Sequence, residues 1–332
     1  MCKKLILTAI YLLSAVSIAV AGDSIDYRPK FHGAVRSRWE METQSGESRF
    51  QVRYARLTMD GNIAPAISYF VQTDLCDKGK MKILDAFGKY SFRNGIFFQA
   101  GQFRMPFGVE TFMAPQNYIF ANRSFMGKQM CNYRKVGAKV GYKLPLARPL
   151  LLEAGIFNNA SIADQEEWSK SYSYSGQATF TFDNVTISAG ALSIKPEEMR
   201  MNMYDVALSW SNSRLKVAGE FMTEHYCDDG GLDNANSYCV YADYRLPIDV
   251  GIFNQWSIQG RFDGISNFYD EDEYSWEMFD AKRITLGTTF TYKYKSVFSD
   301  IRFNWEKYLY PSGVEVEQGL GDKIVVELVV RF

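Results

Sequence analysis

The stretch DKIVVELVVRF, from Asp322 to Phe332, alternates between the two faces of an extended strand. One face is wholly apolar and consists of Ile324, Val326, Leu328, Val330 and Phe332. The other face carries three charges and consists of Lys323, Val325, Glu327, Val329 and Arg331. Because the side chains of a strand point alternately to opposite sides, the apolar face must meet either a protein core or lipid. An exposed edge with such a face would promote aggregation, so we expect a neighbouring strand on each side.

The same alternation recurs along the chain. It is clear in six further stretches, namely residues 31–41, 171–182, 215–221, 256–263, 282–293 and 297–306. The phase is less clean in FQVRYARLTMDG, residues 50–61, where Arg56 falls on the apolar face, and a β-bulge there would restore the pattern. Short turns and longer polar segments alternate between about sixteen such strands. The longer segments are residues 105–134, 158–170, 225–236, 264–280 and 307–321.

The first residues, MCKKLILTAIYLLSAVSIAVA, predict a cleaved signal peptide over residues 1–21. They combine a basic start, an apolar run and an Ala-Val-Ala cleavage site. Without Lys3 and Lys4, the 37 basic residues become 35 against 38 acidic ones, a net charge of −3. That balance offers no basic footprint for nucleic acid, so we expect an exported protein that does not bind it.

The composition favours a membrane barrel over a soluble secreted β-protein. No later apolar run reaches the ~18 residues of a transmembrane helix. Aromatic residues make up 15% of the chain, as expected where Tyr, Phe and Trp form girdles at both membrane interfaces. The pattern predicts an all-β fold over residues 22–332: a transmembrane antiparallel β-barrel of about 16 strands with short periplasmic turns and long extracellular loops. Such a sheet must close, so we expect the last strand to pair with the first.

Three stretches resemble the phosphate-selective porin O and P family of the outer membrane. They are residues 53–75, residues 95–111 with the sequence GQFRMPFG inside them, and the C-terminal strand. The resemblance implies a sixteen-stranded porin in the outer membrane of a Gram-negative bacterium, associated as a homotrimer and passing anions. It also implies that Phe332 is the signal by which the outer-membrane assembly machinery recognises the chain.

In barrels of this kind the longest loop, here residues 105–134, folds inward and constricts the pore. We therefore expect the constriction to be basic, which selects for anions. Its candidate residues are Arg104, Arg123, Lys128 and Arg134, with Lys135 and Lys139 facing the lumen on the next strand. The alternative interpretation of these side chains is solvated loop charges.

The predicted lumen wall carries both signs of charge. Its bases include Arg36, Arg38, Lys216, Arg261, Arg283, Arg302 and Arg331. Its acids include Glu40, Glu220, Asp243, Asp263, Asp300, Glu306 and Glu327. Mixed signs predict a transverse field and only a weak preference for anions such as phosphate. We expect passive diffusion of small hydrophilic solutes; the alternative is a non-conducting structural or adhesive barrel plugged by its own loop.

The sequence offers little support for a catalytic site or a metal site. The chain has two histidines, and no Gly-x-Ser-x-Gly or His-Glu-x-x-His motif is present, so we expect neither an enzyme nor a cofactor. Two acidic loops, residues 227–236 and 263–277, contain oxygen ligands for calcium but lack the EF-hand spacing. Four cysteines lie beyond the signal peptide. Two disulfides, Cys227–Cys239 and Cys76–Cys131, are the preferred pairing against unpaired thiols.

Overall fold

A computed structural model describes most of the chain beyond the predicted signal peptide. The described residues are 25–77, 79–113, 117–131, 133–144, 148–166, 168–195, 199–227, 234–266, 268–270, 275–277, 280–314, 316 and 319–332. The predicted signal peptide, residues 1–21, lies outside them, as do most of the acidic residues considered as calcium ligands. Within the described part, no helix has the length and apolar character needed to cross a membrane.

The described residues contain eighteen strands. They are β1 (Lys30–Glu42), β2 (Ser48–Ala64), β3 (Ile67–Asp77), β4 (Lys80–Ser91), β5 (Ile96–Arg104), β6 (Arg134–Leu144), β7 (Leu150–Phe157), β8 (Ser173–Phe182), β9 (Val185–Ile194), β10 (Arg200–Ser211), β11 (Leu215–Cys227), β12 (Ala235–Leu246), β13 (Gln255–Ile265), β14 (Phe268–Asp270), β15 (Ser275–Glu277), β16 (Ala281–Tyr294), β17 (Val297–Leu309) and β18 (Lys323–Arg331). One short helix, α1, spans Phe125–Gln129, and single 3-10 turns span Glu110–Phe112 and Ile162–Asp164.

Sixteen of these strands close into one antiparallel barrel, while β14 and β15 form a separate hairpin. Neighbours in sequence are neighbours in the barrel, and β1 pairs with both β2 and β18. The predicted sixteen-stranded antiparallel barrel is therefore confirmed. Closure matters because in lipid every backbone N–H and C=O must find a partner within the sheet.

The strand links differ at the two ends of the barrel. At one end, the turn end, they have two to eight residues: 65–66, 92–95, 145–149, 183–184, 212–214, 247–254 and 295–296. At the other end, the loop end, they are residues 43–47, 78–79, 105–133, 158–172, 195–199, 228–234, 266–280 and 310–322. The first two loop-end links are short, so few residues extend beyond the ends of β1–β4.

Burial along the strands follows the predicted two faces. On β18, Val325, Glu327 and Val329 are fully buried, whereas Leu328 and Phe332 are exposed. The apolar face therefore points out of the barrel, where a membrane protein meets lipid. The charged face points into the lumen.

The irregularity predicted near Arg56 is a β-bulge. The pairing of β1 with β2 shifts between Arg36, which faces Tyr54, and Ser37, which faces Val52. Arg53 is the extra residue, so the bulge turns Tyr54 into the lumen and leaves Val52 outside, where it is exposed.

Strand register corrects the predicted disulfides. Cys239 lies opposite Glu220 on β11, seven residues from Cys227, a separation of roughly 23 Å at the usual rise per residue. A disulfide needs Cα atoms within about 7 Å, so Cys227 and Cys239 cannot join. All four cysteines are thiols: Cys76 lies near the end of β3, while Cys131 is buried in the apolar cluster inside the barrel.

Candidate functional site

The link 105–133 is here called the crossing loop, and its described residues fold into the barrel and lie across its lumen. Their apolar side chains join wall residues of β7–β13 in one buried cluster. Its members from the loop include Met105, Phe107, Phe125, Met126, Met130 and Cys131, and those from the wall include Phe157, Leu192, Met201, Met203, Met222 and Ile265. Burial of this surface is the main force that holds the loop inside.

Backbone groups at the start of the crossing loop are held by the far wall. The N–H of Gly108 donates to Asp205 Oδ1 at 3.3 Å, and that of Val109 donates to Glu220 Oε1 at 2.7 Å. The carbonyl of Gly108 accepts from Gln177 Nε2 at 2.9 Å. Three wall strands, β8, β10 and β11, thus each supply one polar side chain to satisfy this turn of the loop.

Asn122 is a second anchor, near the middle of the lumen. Its Oδ1 accepts from Arg38 Nη1 at 2.6 Å, while its Nδ2 donates to both carboxylate oxygens of Glu306, at 3.0 and 3.1 Å. Its carbonyl accepts from Arg261 Nη1 at 2.8 Å. One asparagine therefore links β1, β13 and β17.

A buried ion network fixes the segment around α1. Arg283 pairs with Asp263 at 2.7 Å and with Glu306 at 3.5 Å, and its Nη2 donates to the carbonyl of Arg123 at 2.6 Å. Asp263 also accepts from the backbone N–H of Phe125 at 2.9 Å. Paired charges with additional hydrogen bonds are the form in which ions are tolerated in a protein interior.

Five of the six predicted lumen-wall arginines are buried inside the barrel, and each of the five is paired with carboxylates. Arg36 pairs with Glu327, Arg38 with Glu40, Arg261 with Asp263, Arg283 with Asp263 and Glu306, and Arg302 with Asp300 and Glu327. Their charges are therefore largely balanced, and three of them also hold the crossing loop through Asn122 or Arg123.

A series of cavities, here called the passage, lies on the other side of the crossing loop, along β1–β6. Four cavities of about 230, 870, 270 and 200 Å³ follow one another from the loop end to the turn end. The first two share Arg49 and Lys323 in their lining, the second and third share Arg56 and Arg134, and the last two share Phe70 and Phe87. Between the loop and β9–β13, by contrast, a cavity of only about 70 Å³ remains.

The largest cavity has a strongly basic lining. Its cationic residues are Arg36, Arg38, Arg49, Arg53, Arg56, Lys82, Arg123, Lys128, Arg134, Arg283 and Lys323. Among the described residues Asp74 is the one carboxylate that lines it. No carboxylate of the described chain lies within ion-pair distance of Arg53, Arg104 or Arg123. The open part of the lumen therefore carries a net positive charge.

At the loop-end mouth of the passage the charges are more mixed. Arg49 pairs with Glu40 at 2.5 Å beside the link 310–322. In that link the hydroxyl of Tyr310 donates to the carbonyl of Leu320 at 2.7 Å. Burial raises the pKa of Tyr310 to about 12, so its hydroxyl stays a neutral donor near neutral pH.

Five of the six predicted constriction residues line the passage: Arg104, Arg123, Lys128, Arg134 and Lys139. Lys135 does not, because its ammonium group turns to the loop after β7 and donates to the carbonyl of Asn159 at 2.6 Å. The predicted loop also ends one residue earlier than expected, since Arg134 is the first residue of β6.

The basic residues that β2 contributes to the passage were not predicted. Arg49, Arg53 and Arg56 all line the largest cavity, together with Lys82 from β4. The bulge at Arg53 prevented their prediction, because it breaks the alternation that identifies lumen-facing positions. A signal was nevertheless present: Arg53 and Arg56 lie in one of the stretches that carried the family resemblance.

The described residues hold no cluster of three or more His, Cys, Asp or Glu side chains suited to a metal ion. The carboxylates in the lumen are instead engaged with arginines and with the backbone of the crossing loop. Nothing about the chemistry of the passage calls for a bound cofactor: its donors are the N–H groups of arginine and lysine, which suit anions.

Comparison with known proteins finds similarity to porins. Residues 30–189 match the family described as "Phosphate-selective porin O and P", which confirms the resemblance seen in the sequence. No curated protein sequence matches the chain.

Solved structures show the same fold at low sequence identity. An anion-selective porin from Comamonas acidovorans is 14% identical, with a TM-score of 0.63 over 92% of this chain and 98% of that one. OmpF of Salmonella typhi in complex with daunomycin is 13% identical, with a TM-score of 0.66 over 92% and 97%. OmpT of Vibrio cholerae in its trimer form is 10% identical, with a TM-score of 0.62 over 92% and 98%.

Proposed function

We propose that this outer-membrane porin, which matches the phosphate-selective porin O and P family over residues 30–189, lets small hydrophilic solutes diffuse through its lumen and prefers anions. The outer membrane of a Gram-negative bacterium is its location, and its family and fold are those of a channel rather than an enzyme. We propose no catalytic role and no cofactor.

The observation that carries the proposal is the separation of charges by the crossing loop. The carboxylates of Glu220 and Asp263 accept from backbone N–H groups of the crossing loop, and that of Glu306 accepts from the side-chain amide of Asn122. The passage itself is left with uncompensated cations, including Arg53 and Arg123. Rings of Arg and Lys at a constriction favour anions by charge and by their directed N–H donors. This supports a stronger preference than mixed lumen charges alone predict.

The continuous series of cavities supports conduction over the alternative of a plugged barrel. The crossing loop packs against β7–β13 and leaves the side of β1–β6 open. Charged and amide residues form about half of the lining of the largest cavity. A hydrated path of this kind suits small polar solutes.

The test is a reversal potential in planar bilayers across a tenfold KCl gradient. We expect a sign that shows chloride passing faster than potassium. Arg53→Gln and Arg123→Gln should each lower the permeability ratio about twofold, because a unit charge ~8 Å away in water is worth ~0.5 kcal/mol. Arg148→Gln is the matched control: that side chain lies in a turn-end link, over the ring of Phe182 at 3.5 Å.

Two results would overturn the proposal. A potassium preference, or a ratio unchanged in both passage variants, would remove the anion preference. Folded protein that inserts but never conducts would favour the non-conducting barrel plugged by the crossing loop.

We also propose that the porin is a homotrimer and that Phe332 is read by the outer-membrane assembly machinery. The trimer form of OmpT from Vibrio cholerae supports the first point. Mass measurement of the detergent-extracted protein by light scattering tests it, with one chain per particle as the contrary result. For Phe332, replacement by Ala should reduce the amount assembled in cells more than it reduces refolding in detergent.

A further inference from the structure

The turn-end half of the passage contains a cavity of about 270 Å³ in which guanidinium groups face an aromatic wall. Arg56, Arg104 and Arg134 supply the cations, and Phe70, Phe87 and Phe103 supply rings. The volume is close to the lower end of the range of small-molecule sites, about 300 Å³. Charge alone does not account for this combination.

Arg104 presents an empty pair of donors in this cavity. The residue is 8% exposed, and its Nη1 donates to the carbonyl of Met113 at 3.4 Å. Its Nε and Nη2 are enclosed by the surrounding side chains and have no hydrogen-bond partner among the described residues. These two N–H groups lie along one edge of the planar guanidinium, spaced to meet both oxygens of a carboxylate.

The neighbouring arginine shows what such an edge accepts. Arg134 lies directly opposite Arg104 in the pairing of β5 with β6. Its Nε and Nη2 donate to the two carboxylate oxygens of Asp85, at 3.1 and 3.3 Å. The same edge is thus filled by a carboxylate on Arg134, whereas on Arg104 it is buried and lacks a partner in the described part of the chain. Arg56 adds a further N–H, Nη1, without a partner in the described chain.

The aromatic wall is continuous. The rings of Phe70 and Phe87 stack with centroids 5.2 Å apart, and Phe87 meets Phe103 edge-on at 5.7 Å. Phe112, on the crossing loop, lines the same cavity and is 42% exposed. A small inorganic anion gains nothing from such a surface, whereas an organic anion can bury its apolar body against it.

We propose that this cavity is a binding site for small organic carboxylates with an apolar or aromatic body. The guanidinium of Arg104 turns its unpartnered edge toward the cavity to receive the carboxylate, and the body lies against the phenylalanine wall. The inference rests on the proposed anion-preferring pore and names the solute class that this part of it recognises.

The experiment measures block of single-channel chloride current by added anions. Benzoate, acetate and inorganic phosphate are titrated separately. We expect benzoate to halve the current at a concentration at least about tenfold below that of acetate or phosphate, a difference of ~1.4 kcal/mol. The KCl reversal potential without added anion tests the proposed function, so the two ideas fail separately.

Two variants test whether the Arg104 guanidinium and the phenylalanine wall are responsible for benzoate block. Arg104→Lys keeps the charge but removes the paired N–H donors of the guanidinium. It should raise the half-blocking concentration of benzoate about tenfold. Phe112→Ala should weaken benzoate more than acetate. Arg148→Lys, in the turn-end link outside the passage, is the control and should leave benzoate block unchanged. The heat-dependent mobility of each variant on gels checks its folding.

Equal block by all three anions would show recognition by charge alone and would overturn the inference. The inference would also be overturned if benzoate blocked the folded Arg104→Lys and Phe112→Ala variants at the same concentration as the parent protein. Benzoate block in a pore without chloride preference would instead keep the site and overturn the proposed selectivity.

Discussion

The ring of Phe332 covers the backbone of Gly33 at the seam where the barrel closes. The two residues exchange both backbone hydrogen bonds, each 3.0 Å long. A Cβ atom on Gly33 would overlap the Phe332 ring. A side chain at position 33 would therefore force the Phe332 ring to shift on the outer face of the closing strand pair β1–β18.

Gly33→Ala should destabilise the barrel, because the methyl group must displace the ring at the seam. Overpacking of this kind costs about 1–3 kcal/mol. The midpoint of thermal unfolding of detergent-refolded protein measures it. Gly88→Ala on β4 is the control, since a Cβ there meets no atom within 4 Å.

Phe332→Ala should relieve the clash, so Gly33→Ala should cost less in that background. This double-mutant comparison isolates the contact between the two residues. Equal costs of Gly33→Ala in both backgrounds would contradict a steric origin. Refolding in detergent keeps this test independent of the assembly machinery.

Arg283→Met should destabilise the protein strongly. The change leaves Asp263 and Glu306, both fully buried, without their shared cation. Breaking one side of a buried ion pair typically costs about 3–5 kcal/mol. Chemical denaturation in detergent measures the loss. Arg245→Met is the matched control, because the Arg245 side chain is half exposed and its pair with Asp243 should contribute no more than about 1 kcal/mol.

Anion preference should weaken as salt rises. The uncompensated arginines Arg53 and Arg123 line a water-filled cavity, so mobile ions screen them. The screening length falls from about 10 Å at 0.1 M to about 3 Å at 1 M. Reversal potentials at a fixed tenfold gradient, centred on low and then on high salt, should move toward zero. A preference independent of salt would point to size or to specific binding instead.

The four cysteines beyond residue 21 should all react as thiols without a reducing agent. Cys239 and Cys131 are buried, so they should be alkylated only after unfolding, whereas partly exposed Cys227 should react in the folded protein. Mass spectrometry after alkylation counts the modified residues. A mass that shows a Cys227–Cys239 bridge would contradict the register of β11 and β12.

Much of the fold could be predicted because alternation along a strand is a local property. The apolar face of residues 322–332 and the sixteen strands follow from patterns within single segments, whereas the inward long loop was expected from the family resemblance. The bulge near Arg56 was also visible as a break in phase, although its effect on Arg53 was not.

The failures share one cause, which is contact between distant segments. Lys135 was assigned to the constriction, but its direction depends on Asn159 in the next loop. The Cys227–Cys239 pairing ignored register, which places Cys239 opposite Glu220 instead. Neither the Lys135–Asn159 hydrogen bond nor the register of β11 and β12 can be predicted from the residues of one segment alone.

Period-two alternation is enough to predict a closed barrel, because it assigns each side chain to lipid or lumen. The same pattern predicts a lumen with acids and bases in similar number. Which of these charges face open water depends on contacts between distant segments. The crossing loop takes up carboxylates 97 to 184 residues away along the chain, from Asp205 to Glu306, and leaves the arginines of β2 beside the open passage. Alternation specifies inside and outside, but the sector of the lumen that a loop covers is set by its long-range packing and hydrogen bonds.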